Sequence, residues 1–148
     1  MYPLIEVMRT MVEKSADHPA SHFLLRLILA NDPAPPPWAV WNWARRDIRF
    51  QDEWPQVVSS LPRLIDAPVG DCNDLAVATA VLLRDARLPV RWALGYDDAG
   101  KPRHIWTQVY WAGRWMHVDP SPGAEPPGGD APTMVANATV SEWQPIYI

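Results

Sequence analysis

Apolar positions in the first half of the chain recur at spacings of three and four. Leu4, Val7, Met8, Met11 and Val12 share one face, which predicts a helix over Leu4 to Lys14. A second helix is expected from about Pro19 to Ala30, capped by Asp17 or Ser21. A third starts near Pro37, a favourable first helical position, and sets Trp38, Trp41, Arg45 and Ile48 at helical spacing. Gln51 to Val69 has no period and holds Pro55, Pro62 and Pro68, so it reads as irregular. From Cys72 a long pattern resumes. Leu75, Ala76, Ala78, Thr79, Leu82, Leu83 and Ala86 form a broad stripe that ends near Arg87, before Pro89. The period then drops to two. Strands are expected over about Val90 to Tyr96, His104 to Trp111 and Arg114 to Asp119. Helices followed by an antiparallel meander make an α+β arrangement.

The last two strands form a hairpin with Ala112 and Gly113 at its tip. That turn sets Trp111 opposite Arg114, Tyr110 opposite Trp115, Gln108 opposite His117 and Trp106 opposite Asp119. His104 and Asp119 then share a face and lie on a diagonal within reach of long side chains. A slip of one residue would send them to opposite faces, so the register is a structural commitment.

The length of 148 residues suits one domain over 1–148, with a helical part over 1–50, a core over about 51–122 and a Pro- and Gly-rich C-terminal tail. Prolines, 17 in all, gather at Asn31 to Pro37 and at Asp119 to Pro132, and both stretches read as loops. Hydrophobic content of 48% and charged content of 20% match an ordinary soluble globular protein. The net charge of −4 comes without a basic stripe, which argues against nucleic acid as a partner. A single cysteine excludes an internal disulfide and a cysteine-rich zinc site, and no cofactor or metal is expected. The longest apolar run, Phe23 to Ala30, holds Arg26 and is too short to span a bilayer. No basic segment precedes an apolar run at the N-terminus, so a cytoplasmic location is expected.

The lone cysteine sits in Val69-Gly70-Asp71-Cys72-Asn73-Asp74, on the first turn of the long helix. Asp71 is a good N-cap, and Asp74 stands where a capping box puts its acidic member. Free N–H groups and the helix dipole favour negative charge at Cys72, while the two aspartates oppose it. A cationic partner is needed, and without one a small buried cysteine at a helix start is the plain alternative. The hairpin supplies that partner. Cys72, His104 and Asp119 make a nucleophilic triad in which the imidazole takes the thiol proton and the carboxylate orients the ring. The Cys72 backbone N–H is a candidate oxyanion donor, with Trp38, Trp41 or Trp54 as candidates for a second. Trp106 and Gln108 share the triad face and are candidate substrate-binding residues; Trp115 is a further candidate wall. His117 is the rival base, although a surface histidine on a strand is the commoner case. His18 and His22 are expected to be solvated, and Arg91 to pair with a carboxylate.

The residues also resemble a known family. Gly-Asp-Cys-Asn-Asp before an apolar helix, then Leu88 to Tyr96, then His104 to Gly123, look like the bacterial and phage branch of the transglutaminase-like superfamily. The resemblance runs from roughly Trp41 to Pro122 and includes Ala44 to Glu53. Three anchors carry it in order: Gly-Asp-Cys, His-x-Trp and Trp-x-x-Val-Asp-Pro. Asn73 stands where the family often has an acidic residue, and Ala112 replaces a usual turn aspartate. The resemblance implies a papain-like fold with the nucleophile helix packed on a small antiparallel sheet. It implies Cys72 as nucleophile, His104 as general base and acid, and Asp119 as the orienting residue. The expected activity is acyl transfer on an amide of a protein or peptide through a thioester, ending in transamidation or hydrolysis. The alternative is a non-catalytic, phage-related structural or assembly protein, located in the virion.

Overall fold

Helix α5, Cys72–Asp85, lies at the centre of the molecule, and nearly every one of its side chains is buried. The computed structural model describes residues 2–51 and 58–148. Four helices surround α5 on one side: α1 (Tyr2–Ser15), α2 (Pro19–Asn31), α3 (Pro36–Asp47) and the short α4 (Leu61–Asp66). On the other side lies a sheet of β3 (Val90–Tyr96), β4 (Pro102–Trp111), β5 (Arg114–Val118) and β8 (Glu142–Tyr147). Its order is β5-β4-β3-β8, and all the pairings are antiparallel. The α+β expectation therefore holds, as do the three predicted strands. The helix-side face of the sheet carries Trp92, Leu94, Ile105, Val109, Met116 and Val118, all in the main core, with the buried Thr107 among them. Polar bonds lock this contact: Trp92 Nε1 (3.1 Å) and Thr107 Oγ1 (3.0 Å) both donate to the Ala76 carbonyl. Thr79 and Thr107 hydroxyls meet at 2.7 Å.

Several details depart from the sequence expectation. Helix α2 is capped by neither Asp17 nor Ser21. Asp17 sits at φ 59°, and the His18 ring accepts the cap bond from Ala20 N–H at 3.0 Å. The segment expected to be irregular contains structure. Ser60 caps α4, and β1 (Arg49–Phe50) pairs in parallel with β2 (Val69–Gly70). Pro55, within that expectation, lies outside the described residues.

The C-terminal segment is also more than a tail. Strand β8 adds a fourth strand to the sheet, with Arg91 opposite Tyr147 and Gly95 opposite Trp143. Before it, β6 (Met134–Val135) and β7 (Ala138–Thr139) form a small hairpin. Val135 and Val140 pack on Ala93 and Trp106, covering the sheet face away from α5. Both faces of the sheet are thus buried near its middle.

Candidate active site

Cys72 is the first residue of α5 and is half-buried. Asp71 Oδ1 accepts from Asn73 N–H at 3.0 Å and from Asp74 N–H at 3.2 Å. Asp74 Oδ2 accepts in turn from Asp71 N–H at 3.0 Å, which completes the capping box. Its other oxygen accepts from Ser59 N–H at 2.7 Å and ties the preceding segment to the helix start. The cap uses the N–H groups of Asn73 and Asp74 and leaves that of Cys72 for another acceptor. Gly70 is required by the same device. A Cβ there would stand 2.7 Å from Asp74 Cβ and 2.8 Å from its Oδ2.

The hairpin brings His104 and Asp119 together. The observed register pairs Trp111 with Arg114, Tyr110 with Trp115 and Gln108 with His117, as the two-residue turn predicts. Ala112 (φ 52°) and Gly113 (φ 82°) both take the left-handed conformation that such a turn needs. His104 Nε2 lies 2.6 Å from Asp119 Oδ2, and the two side chains are 1% and 3% exposed. Asp119 Oδ1 accepts from Ser121 N–H at 3.0 Å, and the Asp119 carbonyl accepts from Trp41 Nε1 at 2.8 Å. The carboxylate and its backbone are therefore held from the helical side as well. With Nε2 bound to Asp119, Nδ1 is left for the thiol of Cys72, which interacts with the same ring. Burial works against a charge on His104. The hydrogen bond and charge of Asp119, followed by those of Cys72, outweigh it and carry the pKa from 6.5 up to about 10.

Trp106 lies beneath the His104 ring, and Gln108 is buried farther along the same strand. Each is 1% exposed. Trp106 stacks on the His104 ring, with centroids 5.6 Å apart and planes 21° from parallel. Its Nε1 donates to His117 Nδ1 at 2.9 Å. Gln108 is held between His117 Nδ1 at 3.1 Å and Arg91 Nε at 2.6 Å. Arg91 stacks over Trp115 at 4.2 Å and donates to the Tyr147 hydroxyl at 2.8 Å. Its partners are thus an amide, an aromatic ring and a phenol rather than the expected carboxylate. Period-two alternation correctly gave the face of Trp106 and Gln108 but carried no information about depth. His117 is not an ordinary surface residue either. Its Nδ1 faces two N–H donors and must keep its lone pair, while burial and Arg91 lower its pKa against the pull of Asp119 and Asp130. Among the other candidates, Trp41 spends its indole N–H on Asp119, Trp38 packs edge-on against Trp111, and Trp54 lies outside the described residues.

Asp17, His22 and Asp85 are the only group of such side chains, among the described residues, close enough to hold a metal ion. They sit at the far end of α5 from Cys72. Asp85 already accepts from Asp17 N–H (3.1 Å) and meets the Ser21 hydroxyl (2.7 Å), and Arg87 stands 3.8 Å from Asp17. These contacts explain the cluster as a clasp between α5 and the α1–α2 turn. His22 bonds Asp17 within it, whereas His18 is exposed as expected. No described helix is long and apolar enough to cross a membrane.

Solved structures share this fold. A structure named "Putative Cysteine Protease from Cytophaga hutchinsonii" aligns with a TM-score of 0.55 at 20% identity, over 68% of this chain and 37% of its own. One named "putative protease from Parabacteroides distasonis" aligns with a TM-score of 0.61 at 11% identity, over 83% and 26%. A structure named "TGase" aligns with a TM-score of 0.50 at 13% identity, over 88% and 34%. The matched parts are thus no more than 37% of those chains. No curated protein matches the sequence. The family model described as the transglutaminase-like superfamily matches residues 29–120, which include Cys72, His104 and Asp119. The chain belongs to the transglutaminase-like superfamily and has its papain-like α+β fold.

Proposed function

We propose that the chain catalyses cysteine-dependent acyl transfer on an amide of a protein or peptide. The buried His104–Asp119 bond at 2.6 Å, on a ring that also meets Cys72, is the observation that carries this reading. Asp119 holds the Nε2–H tautomer, so Nδ1 takes the thiol proton. The imidazolium, stabilised by Asp119, then stands beside the thiolate. The thiolate attacks the amide carbon, and the Cys72 N–H donates to the developing oxyanion. His104 returns its proton to the leaving nitrogen, and a thioester on Cys72 remains. An amine then attacks to form a new amide, or water attacks to form an acid; each regenerates the thiol. The names of the structural neighbours, which include both proteases and a TGase, agree with either outcome. The branch of the superfamily is read as bacterial or phage from the sequence motifs.

The test is iodoacetamide labelling of Cys72 over roughly pH 5 to 9, beside turnover of a glutamine-containing peptide with and without a primary amine. The wild-type thiol is expected to react fast well below pH 8.5, the region of about an ordinary cysteine. Cys72→Ala abolishes thioester formation. His104→Ala moves the labelling profile to higher pH, and Asp119→Asn lowers turnover by orders of magnitude, up to about 10⁴-fold, through the wrong tautomer. A wild-type thiol that is inert across this range, with variants that behave alike, would leave the assembly-protein reading in its place.

A further inference from the structure

A cleft of about 630 Å³ is lined in part by Val69, Leu75, Pro120 and Pro122. Val69 and Leu75 bracket Cys72 in sequence, and Pro120 follows Asp119. The remaining wall is the end of α3 and β1, with Arg45, Arg46, Asp47, Arg49 and Phe50. Arg46 is taken by Asp47 at 3.2 Å. Arg45 and Arg49 have no carboxylate partner among the described residues. Arg45 lies over the Trp41 ring at 5.3 Å and donates to the Ser121 carbonyl at 3.3 Å. Arg49 donates to Gln51 Oε1 at 3.1 Å. Both guanidinium groups keep unused donors, and both residues are exposed. The helix dipole accounts for cations in the last turn of α3 but not for Arg49, which stands beyond it on β1. In a chain of net charge −4, two arginines without a carboxylate partner among the described residues, in a hollow lined by proline, valine and phenylalanine, are a local reversal of sign. The cleft also continues. A second hollow, about 550 Å³, shares Phe50 and Pro122 with the first and runs on past Gly123 to Met134 and Asn137. Together they make a groove long enough for an extended chain rather than a pocket for a small molecule.

We propose that Arg45 and Arg49 form an anion subsite that takes an acidic side chain of the polypeptide acyl donor, lying extended along this groove. The proposal rests on the acyl-transfer reading for the identity of the ligand as a donor, but its binding test does not need turnover. Forked guanidinium donors suit a carboxylate, which they can hold through two parallel N–H bonds.

The probe is a fluorescently labelled glutamine-containing peptide with two neighbouring glutamates, compared with its twin in which both are glutamine. Binding is read by fluorescence anisotropy on the Cys72→Ala chain, where no thioester forms. The acidic peptide is expected to bind about tenfold more tightly than its twin. The difference should shrink in about 0.5 M salt. It should be lost in Arg49→Gln, whose exposed position leaves folding intact, and in the Arg45→Gln/Arg49→Gln pair; Arg49→Lys should retain part of it. Equal affinity for the two peptides overturns the proposal, and so does a preference that survives the double substitution. An inert wild-type thiol together with an intact acidic preference sinks the acyl-transfer reading and leaves the anion subsite standing. A reactive thiol with no preference does the reverse.

Discussion

His104 and His117 are neighbours on one sheet face and are pushed in opposite directions. Burial opposes charge at both. At His104, Asp119 and then Cys72 overcome it, and the folded pKa rises from 6.5 to about 10. At His117, burial and Arg91 win over Asp119 and Asp130, and the folded pKa falls below 6.5. The consequence for stability follows from proton linkage. His104 binds its proton more tightly when folded, so its contribution is complete below pH 6.5 and is lost as pH rises toward about 10. His117 binds its proton less tightly when folded, so stability falls as pH drops below 6.5. Thermal unfolding is therefore expected to peak near the ordinary histidine pKa, about 6.5. Asp119→Asn should flatten the alkaline side of that curve, and His117→Asn should flatten the acid side while keeping an acceptor near Trp106. An unchanged alkaline limb in Asp119→Asn would deny the His104–Asp119 pair this role. The approach of His104 to Asp119 was legible because the turn sets the register and the register sets the diagonal. The depth of Gln108 and Trp106 was not legible, because it comes from cover by Val135, Val140 and Arg91, which no local pattern encodes.

Two turns at either end of the site respond to substitution in opposite senses. Gly70→Ala drives a methyl group into the Asp74 side chain at 2.7 Å, and the capping box must open to admit it. The cost is expected to be about 1–3 kcal/mol. Ala112 is exposed and is strained by its own φ of 52°. Ala112→Asn should recover about 0.5–1 kcal/mol, because asparagine visits this region at lower cost. Urea midpoints at unchanged slope measure both, and a stabilised Gly70→Ala would contradict the packing of the helix start. The long helices and strands β3, β4 and β5 were legible from period alone. Helix α4, with only 6 residues, is too short to establish a period, and its cap at Ser60 was hidden among the prolines. Strand β8 contains Pro145, which reads against a central strand. The structure reconciles this by placing β8 at the sheet edge, where a missing N–H is tolerated.

At the scale of the whole molecule, the helices and the sheet contribute different parts of one site. The sheet holds the ring and its carboxylate, the helix start holds the thiol, and Trp41 of α3 reaches across to the Asp119 carbonyl. The α+β order was legible because helical periods precede strand periods. The enclosure of α5 was not, since docking of helices on its outer side depends on contacts such as Ser21 with Asp85, 64 residues apart. The difference in sequence separation has a consequence in time. His104 and Asp119 are 15 residues apart across a two-residue turn, and hairpins of this kind close in about 1–10 μs. Trp41 and Asp119 are separated by 78 residues, and such long-range contacts form late. During refolding, amide protection in β4 and β5 is expected to appear before Cys72 acquires fast labelling by a pulse of iodoacetamide. Simultaneous appearance of the two signals would contradict this order. On this ordering a half-folded chain carries its thiol without the packed site, and the proposed acyl-transfer chemistry is withheld from other unfolded chains until the long-range packing is complete.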